Sequence, residues 1–223
     1  MSRLLSRPPG LVLAFVLVLC ASAARLTAGD VVVTVQDAKG VAVADAVVSL
    51  VALDPPGPVA PPLPAEPAVI VQQGEEFKPY VTAVRVGARI SFPNQDKVRH
   101  QVYSISKTKP FEIPLYGPGA EQAVVFDKPG IVALGCNIHD WMSAYVVVLE
   151  TPHFMTTPAS GLARLAQLPP GRYRLEVWHP RLVDETRREV VVSTADDTQA
   201  ISVTLKADKR MRRAPDSAGG GYK

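Results

Sequence analysis

Cysteine is almost missing from this chain: there are two, Cys20 and Cys136. Cys20 falls within a stretch that has the marks of an export signal. Arg3 and Arg7 precede an unbroken apolar run from Leu11 to Cys20, and Ala21-Ser22-Ala23 follows as an A-x-A cleavage site. Cleavage near Ala23 leaves Cys136 alone, which excludes an intramolecular disulfide framework. The apolar run is shorter than the roughly 20 residues a spanning helix needs, and no later run is longer, so no stable membrane insertion is expected. A lipoprotein reading would modify Cys20, but Leu19 stands where a small residue is wanted.

An excess of charge is missing too. The 24 basic side chains fall to 22 once Arg3 and Arg7 leave, against 21 acidic ones, a net charge of +1. That balance argues against a nucleic-acid partner, which wants a basic face. The remaining positive bias lies near the C-terminus, where Lys206, Lys209, Arg210, Arg212, Arg213 and Lys223 meet only Asp208 and Asp216. Residues 208–223 read as a solvated, disordered tail, with a docking arm for an acidic partner or anionic lipid heads as the alternative. C-x-x-C-H is absent, which removes a c-type haem.

Amphipathic helices are also lacking after the signal, and β-branched alternation takes their place. Strands are expected at Val31 to Gln36 and Ala44 to Ala52. Residues 54–67, half proline, cannot pair as a central strand and read as a semi-rigid linker. Then come Ala68 to Gln72, Val81 to Val86, Ala88 to Phe92, His100 to Ser104, Gln122 to Phe126, Ile131 to Leu134 and Ser143 to Glu150. Phe111 to Gly119 reads as a loop punctuated by Pro and Gly. Beyond Thr151 the chain starts again, with Tyr173, Leu175 and Val177 alternating with charged residues, then Glu189 to Ser193 and Ala200 to Leu205. The pattern is all-β, an antiparallel sandwich at 68–150. The pieces 31–52 and 151–207 are each marginal in size. They can join as one discontinuous sandwich around the middle segment; alternatively, 31–52 adds strands to the middle segment.

The chemistry concentrates at Gly135-Cys136-Asn137-Ile138-His139-Asp140-Trp141-Met142. Cys136, His139 and Met142 fall as C-x-x-H-x-x-M, and a short hairpin loop can bring all three to one metal. His100, on a distant strand, closes the site from the other side. One thiolate, two imidazoles and one thioether suit a single copper: the soft sulfurs favour Cu(I), and imidazole accepts both oxidation states. Zinc gains little from Met, and a catalytic zinc site keeps a water position. A dinuclear copper centre needs a second thiolate. Asn94 and Asp96 read as ordering the strand end before His100, and Glu75 and Glu76 as a solvated hairpin tip. Trp141 is either an apolar lid over the metal or a docking surface. Leu115, Tyr116 and Pro118 are candidates for an apolar rim. His153 and His179 read as structural.

Phe77-Lys78-Pro79, Val84-Arg85-Val86-Gly87, Ile90-Ser91-Phe92-Pro93-Asn94-Gln95-Asp96, His100-Gln101-Val102-Tyr103-Ser104 and Cys136 to Met142 resemble a cupredoxin of the plastocyanin-like or methylamine-utilization type. The likeness covers about residues 68–150, and the ligand loop is similar to that of amicyanins. It implies a Greek-key β-sandwich with one type 1 (blue) copper held by His100, Cys136, His139 and Met142, the last as weak axial ligand. Many cupredoxins have Asn directly after the first ligand His, steadying the ligand loop; here Gln101 stands there. Asp37-Ala38-Lys39-Gly40, Val43 to Val48, Leu168 to Tyr173 and Val177 to Pro180 resemble carboxypeptidase-regulatory-like (transthyretin-like) sandwiches, which implies a second small Ig-like or prealbumin-like unit at 30–53 plus 151–207.

The resulting expectation is an exported, periplasmic carrier of single electrons that transforms no substrate, exchanging electrons with an unknown redox protein at the exposed edge of His139. A copper-delivery module and an interaction module with structural copper are the alternatives. The sequence leaves the oligomeric state open.

Overall fold

The computed structural model describes residues 28–54 and 65–210. The expected signal peptide 1–23, most of the 54–67 linker and the tail beyond Arg210 lie outside the described residues. Two strands come first, β1 (Gly29–Asp37) and β2 (Val47–Ala52). Ten follow in the middle segment: β3 (Ala68–Val69), β4 (Val71–Gln72), β5 (Phe77–Lys78), β6 (Val81–Arg85), β7 (Ala88–Pro93), β8 (His100–Ser104), β9 (Phe111–Tyr116), β10 (Glu121–Phe126), β11 (Gly130–Gly135) and β12 (Ser143–Leu149). The last five are β13 (Phe154–Thr156), β14 (Leu162–Leu168), β15 (Gly171–Trp178), β16 (Thr186–Val192) and β17 (Asp197–Val203). Among the described residues there is no α-helix, and the chain is all-β.

In the middle segment a five-stranded sheet, β6-β12-β11-β8-β9, faces a three-stranded one, β10-β7-β3. Alternation explains the burial: Ala88, Ile90 and Phe92 of β7 are fully buried and meet Val132 and Leu134 of β11 and Val146 of β12 in one apolar cluster. The sequence expectation of a loop at Phe111 to Gly119 is corrected. Phe111 to Tyr116 is a strand at the sheet edge, where Pro114 can sit because no partner on that side needs its missing N–H.

β1 pairs antiparallel with β14 and parallel with β17, while β2 pairs with β13 and β15. Neither strand pairs with the middle segment among the described residues. The sheets β14-β1-β17 and β13-β2-β15-β16 enclose a second apolar cluster, to which Val31, Val33, Leu50, Leu175 and Ile201 contribute.

A third, smaller cluster joins the two halves. Val47 from β2, Val81 from β6 and Val147 from β12 are buried together, with Tyr80, Tyr145 and Trp178 against them. β12 is therefore covered on both faces, Ala144, Val146 and Val148 inward and Val147 toward the flanking sheet. That double burial accounts for its unbroken apolar run.

Candidate metal centre

The register of β11 and β12 builds the loop that carries the chemistry. Gly135 pairs with Ser143, so Cys136 and Met142 are the first and last residues of the hairpin loop. The Met142 amide donates to the His139 carbonyl at 2.9 Å and closes the turn. Gly135 is required here: the Tyr103 ring lies across it so closely that a Cβ would come within 2.8 Å. Tyr103 pairs with Gly135 from β8, which begins at His100, so the same strand contact brings His100 to the Cys136 end of the sheet.

The structure gathers His100, Cys136 and His139, with one donor atom from each within 4.8 Å of the others. His100 Nδ1 is 3.2 Å from His139 Nδ1, and Cys136 Sγ is 3.9 Å from the same nitrogen. With bonds of about 2.0–2.1 Å to nitrogen and 2.3 Å to sulfur, two donors of one ion lie at most about 4.2 Å (N–N) or 4.4 Å (N–S) apart. The observed separations fit a single ion. His100 is fully buried, Cys136 and Met142 nearly so, and Met142 shares its apolar cluster with Cys136.

Carboxylates stand behind both rings. His100 Nε2 is 2.8 Å from Asp96 Oδ2, and a carboxylate only accepts, so it assigns the proton to Nε2 and leaves the Nδ1 lone pair facing the donor group. Burial alone would raise the Asp96 pKa, but the amides of Glu75 and Gly74 and the His100 ring outweigh it and hold the carboxyl below its usual range. Those amides donate to Asp96 at 2.8 and 2.6 Å. Asn94 accepts from the Asp96 amide at 2.9 Å and donates to the Val98 carbonyl at 2.9 Å. Both residues thus order the approach to His100, as expected.

Glu75 overturns the expectation of a solvated tip. Its carboxylate lies 3.9 Å from His139 Nε2, and its carbonyl accepts from the Trp141 indole at 3.1 Å. Its backbone sits in the left-handed region at φ 56°. The signal missed was Gly74-Glu75, a turn pair across from Asp96. Trp141 packs on His139 with ring centroids 5.3 Å apart. The His139 side chain is only 14% exposed, so its edge is largely covered.

Other candidates are placed elsewhere. Gln101 donates to Glu112 on β9 at 2.6 Å rather than to the ligand loop. Leu115 and Pro118 are exposed, but Tyr116 is buried and donates to the Phe92 carbonyl at 2.7 Å, so it is no rim residue. Burial chiefly pushes its phenol up to about 12. His153 packs edge-on to Tyr173, and buried His179 accepts from the Arg181 amide at 3.1 Å. Both lie outside the donor group.

Two facing β-sheets with a buried His–Cys–His group at one end define the middle segment as a cupredoxin fold. Solved structures similar to part of this chain include an amicyanin variant with Cu(I), 18% identical over 36% of this chain and 80% of that one, TM-score 0.35. A purple cupredoxin from Nitrosopumilus maritimus is 24% identical over 37% and 99%, TM-score 0.34. A copper-containing nitrite reductase from Thermus scotoductus SA-01 is 27% identical over 45% of this chain but 25% of its own, TM-score 0.36. No family model matches the sequence, and no curated protein matches it significantly.

Proposed function

We propose that this chain is an exported type 1 copper protein that carries single electrons between redox partners and catalyses no reaction of its own. The observation that carries the reading is the gathering of the His100 and His139 imidazoles and the Cys136 sulfur, two of the three residues buried, with one donor atom from each within 4.8 Å of the others. In this reading His100, Cys136, His139 and Met142 hold the metal, Met142 as the weak fourth ligand. Bound copper supplies the one-electron Cu(I)/Cu(II) couple. The protein's part is to keep the donors in one geometry: the Gly135–Ser143 pairing fixes both loop ends, and Asp96 fixes the His100 ring. A rigid donor set opposes electron exchange little because neither oxidation state demands rearrangement.

We also read 30–53 and 151–207 as one discontinuous sandwich of carboxypeptidase-regulatory-like kind, with the copper-binding segment inserted between its strands. The shared sheets and shared apolar cluster support this.

Relay and cargo functions are separated by a chelator experiment on the copper-loaded chain. A relay cycles with ferricyanide and ascorbate within milliseconds and keeps its metal against a Cu(I) chelator. Rapid transfer to the chelator with slow cycling would instead make copper the cargo.

A further inference from the structure

Resting on the electron-carrier reading, we propose that electrons enter or leave through Trp141 rather than through the His139 edge, and that the groove beside Trp141 seats an acidic-faced redox protein. His139 is screened. Its side chain is 14% exposed, the Glu75 carboxylate lies 3.9 Å from its outer nitrogen, and exposed Asp140 follows it in the loop. Trp141 packs on the same ring and also lines a groove with Lys78, Tyr80 and Arg210.

That groove continues over Tyr80 and Tyr145, whose rings meet edge to face at 5.6 Å. The Arg210 guanidinium stacks over Tyr80 at 3.9 Å. Along the two connected stretches Lys78, Arg181, Lys206, Lys209 and Arg210 stand with Glu76, which pairs with Lys78, and Asp208, which pairs with Arg210, while Asp45 lies near Arg210 in the adjoining cleft. Five cations against three carboxylates are still an excess of positive charge on a chain whose net charge after residue 23 is only +1. Aromatic floor, cationic walls and a tryptophan touching a metal-site imidazole are the parts an acidic electron carrier requires: the charges steer and orient it, and the indole carries the electronic contact.

The test uses the full copper-loaded chain and hexacyanoferrate(III) as an anionic oxidant. One electron passes from bound Cu(I) to the iron, giving Cu(II) and hexacyanoferrate(II), with no bond broken and no proton moved. The proposal expects the second-order rate to fall as salt rises, and Lys78→Glu and Arg210→Glu each to lower it about three- to tenfold at low ionic strength. Lys128→Glu, an equal charge change at the opposite end of β11 from Cys136, should change it less than about twofold. Poly-L-glutamate should compete with the oxidant, and should quench tryptophan fluorescence of the copper-free chain in a way that Arg210→Glu weakens. Equal effects of Lys128→Glu and Arg210→Glu would overturn the proposal. So would hexacyanoferrate sensitivity without polyglutamate competition, a seat for small anions only, or competition by phosphatidylglycerol vesicles alone. Absence of a copper–thiolate band would instead sink the copper reading, while the fluorescence result still decides the groove.

Discussion

At the scale of single residues, what stands around two imidazoles decides the site. Cys136→Ser should abolish the intense visible absorption of the copper-loaded chain, and Met142→Leu should retain copper while raising its reduction potential, both read by spectroelectrochemistry. Asp96 separates orientation from charge. Asp96→Asn keeps an acceptor for His100 Nε2 but loses the negative charge, so the spectrum should persist with a raised potential. Asp96→Ala loses both and should weaken copper binding about 10–100-fold, as loss of partners behind metal ligands does; unchanged affinity would show that Asp96 does not orient the ring. Cys136 and His139 were legible as a pair because residue types and loop spacing are local, whereas His100 reaches them only through the β8–β11 contact. Glu75 was not legible, since its role depends on a left-handed backbone turn and on a His139 contact made only in the folded chain.

Elements have their own test. Leu175 on β15 is fully buried in the cluster formed by the flanking strands, a different cluster from the one that holds Cys136 and Met142. Leu175→Ala should cost about 2–5 kcal/mol of stability by chemical denaturation and leave the copper spectrum unaltered. A shifted spectrum would mean that the flanking strands shape the site. Regular alternation made β1, β7 and β15 readable from sequence. β14 was missed because Gln167 adopts φ 56° where the register with β1 slips, so buried Ala163, Leu165 and Leu168 lose their period of two. β9 was masked by Pro114, whose tolerance comes from the edge position and not from its neighbours in sequence. The fully buried Ile70 separates β3 from β4, so the single strand expected there is two short ones in different sheets.

The whole molecule adds an acid sensitivity. Burial, then the charges of Arg181 and Arg210, push buried His179 from 6.5 down to about 4. Its Nδ1 already accepts the Arg181 amide, so a proton arriving there would displace that bond. Because the unfolded chain takes up this proton first, the stabilisation is complete above about pH 6.5 and declines as pH falls toward 4, by up to about 3 kcal/mol. His153, also shifted down by burial, acts in the same direction. His179→Asn should flatten the dependence of denaturation midpoint on pH between 4 and 6.5; an unchanged slope would remove His179 as its source. One copper on the gathered donors of His100, Cys136 and His139 has a distinct spectroscopic signature. The most direct test is to add one equivalent of Cu(II) to the full chain and record visible absorption and EPR spectra. A strong thiolate-to-copper band with narrow copper hyperfine splitting is the predicted result. A colourless protein, or one with an ordinary tetragonal copper signal, would contradict it.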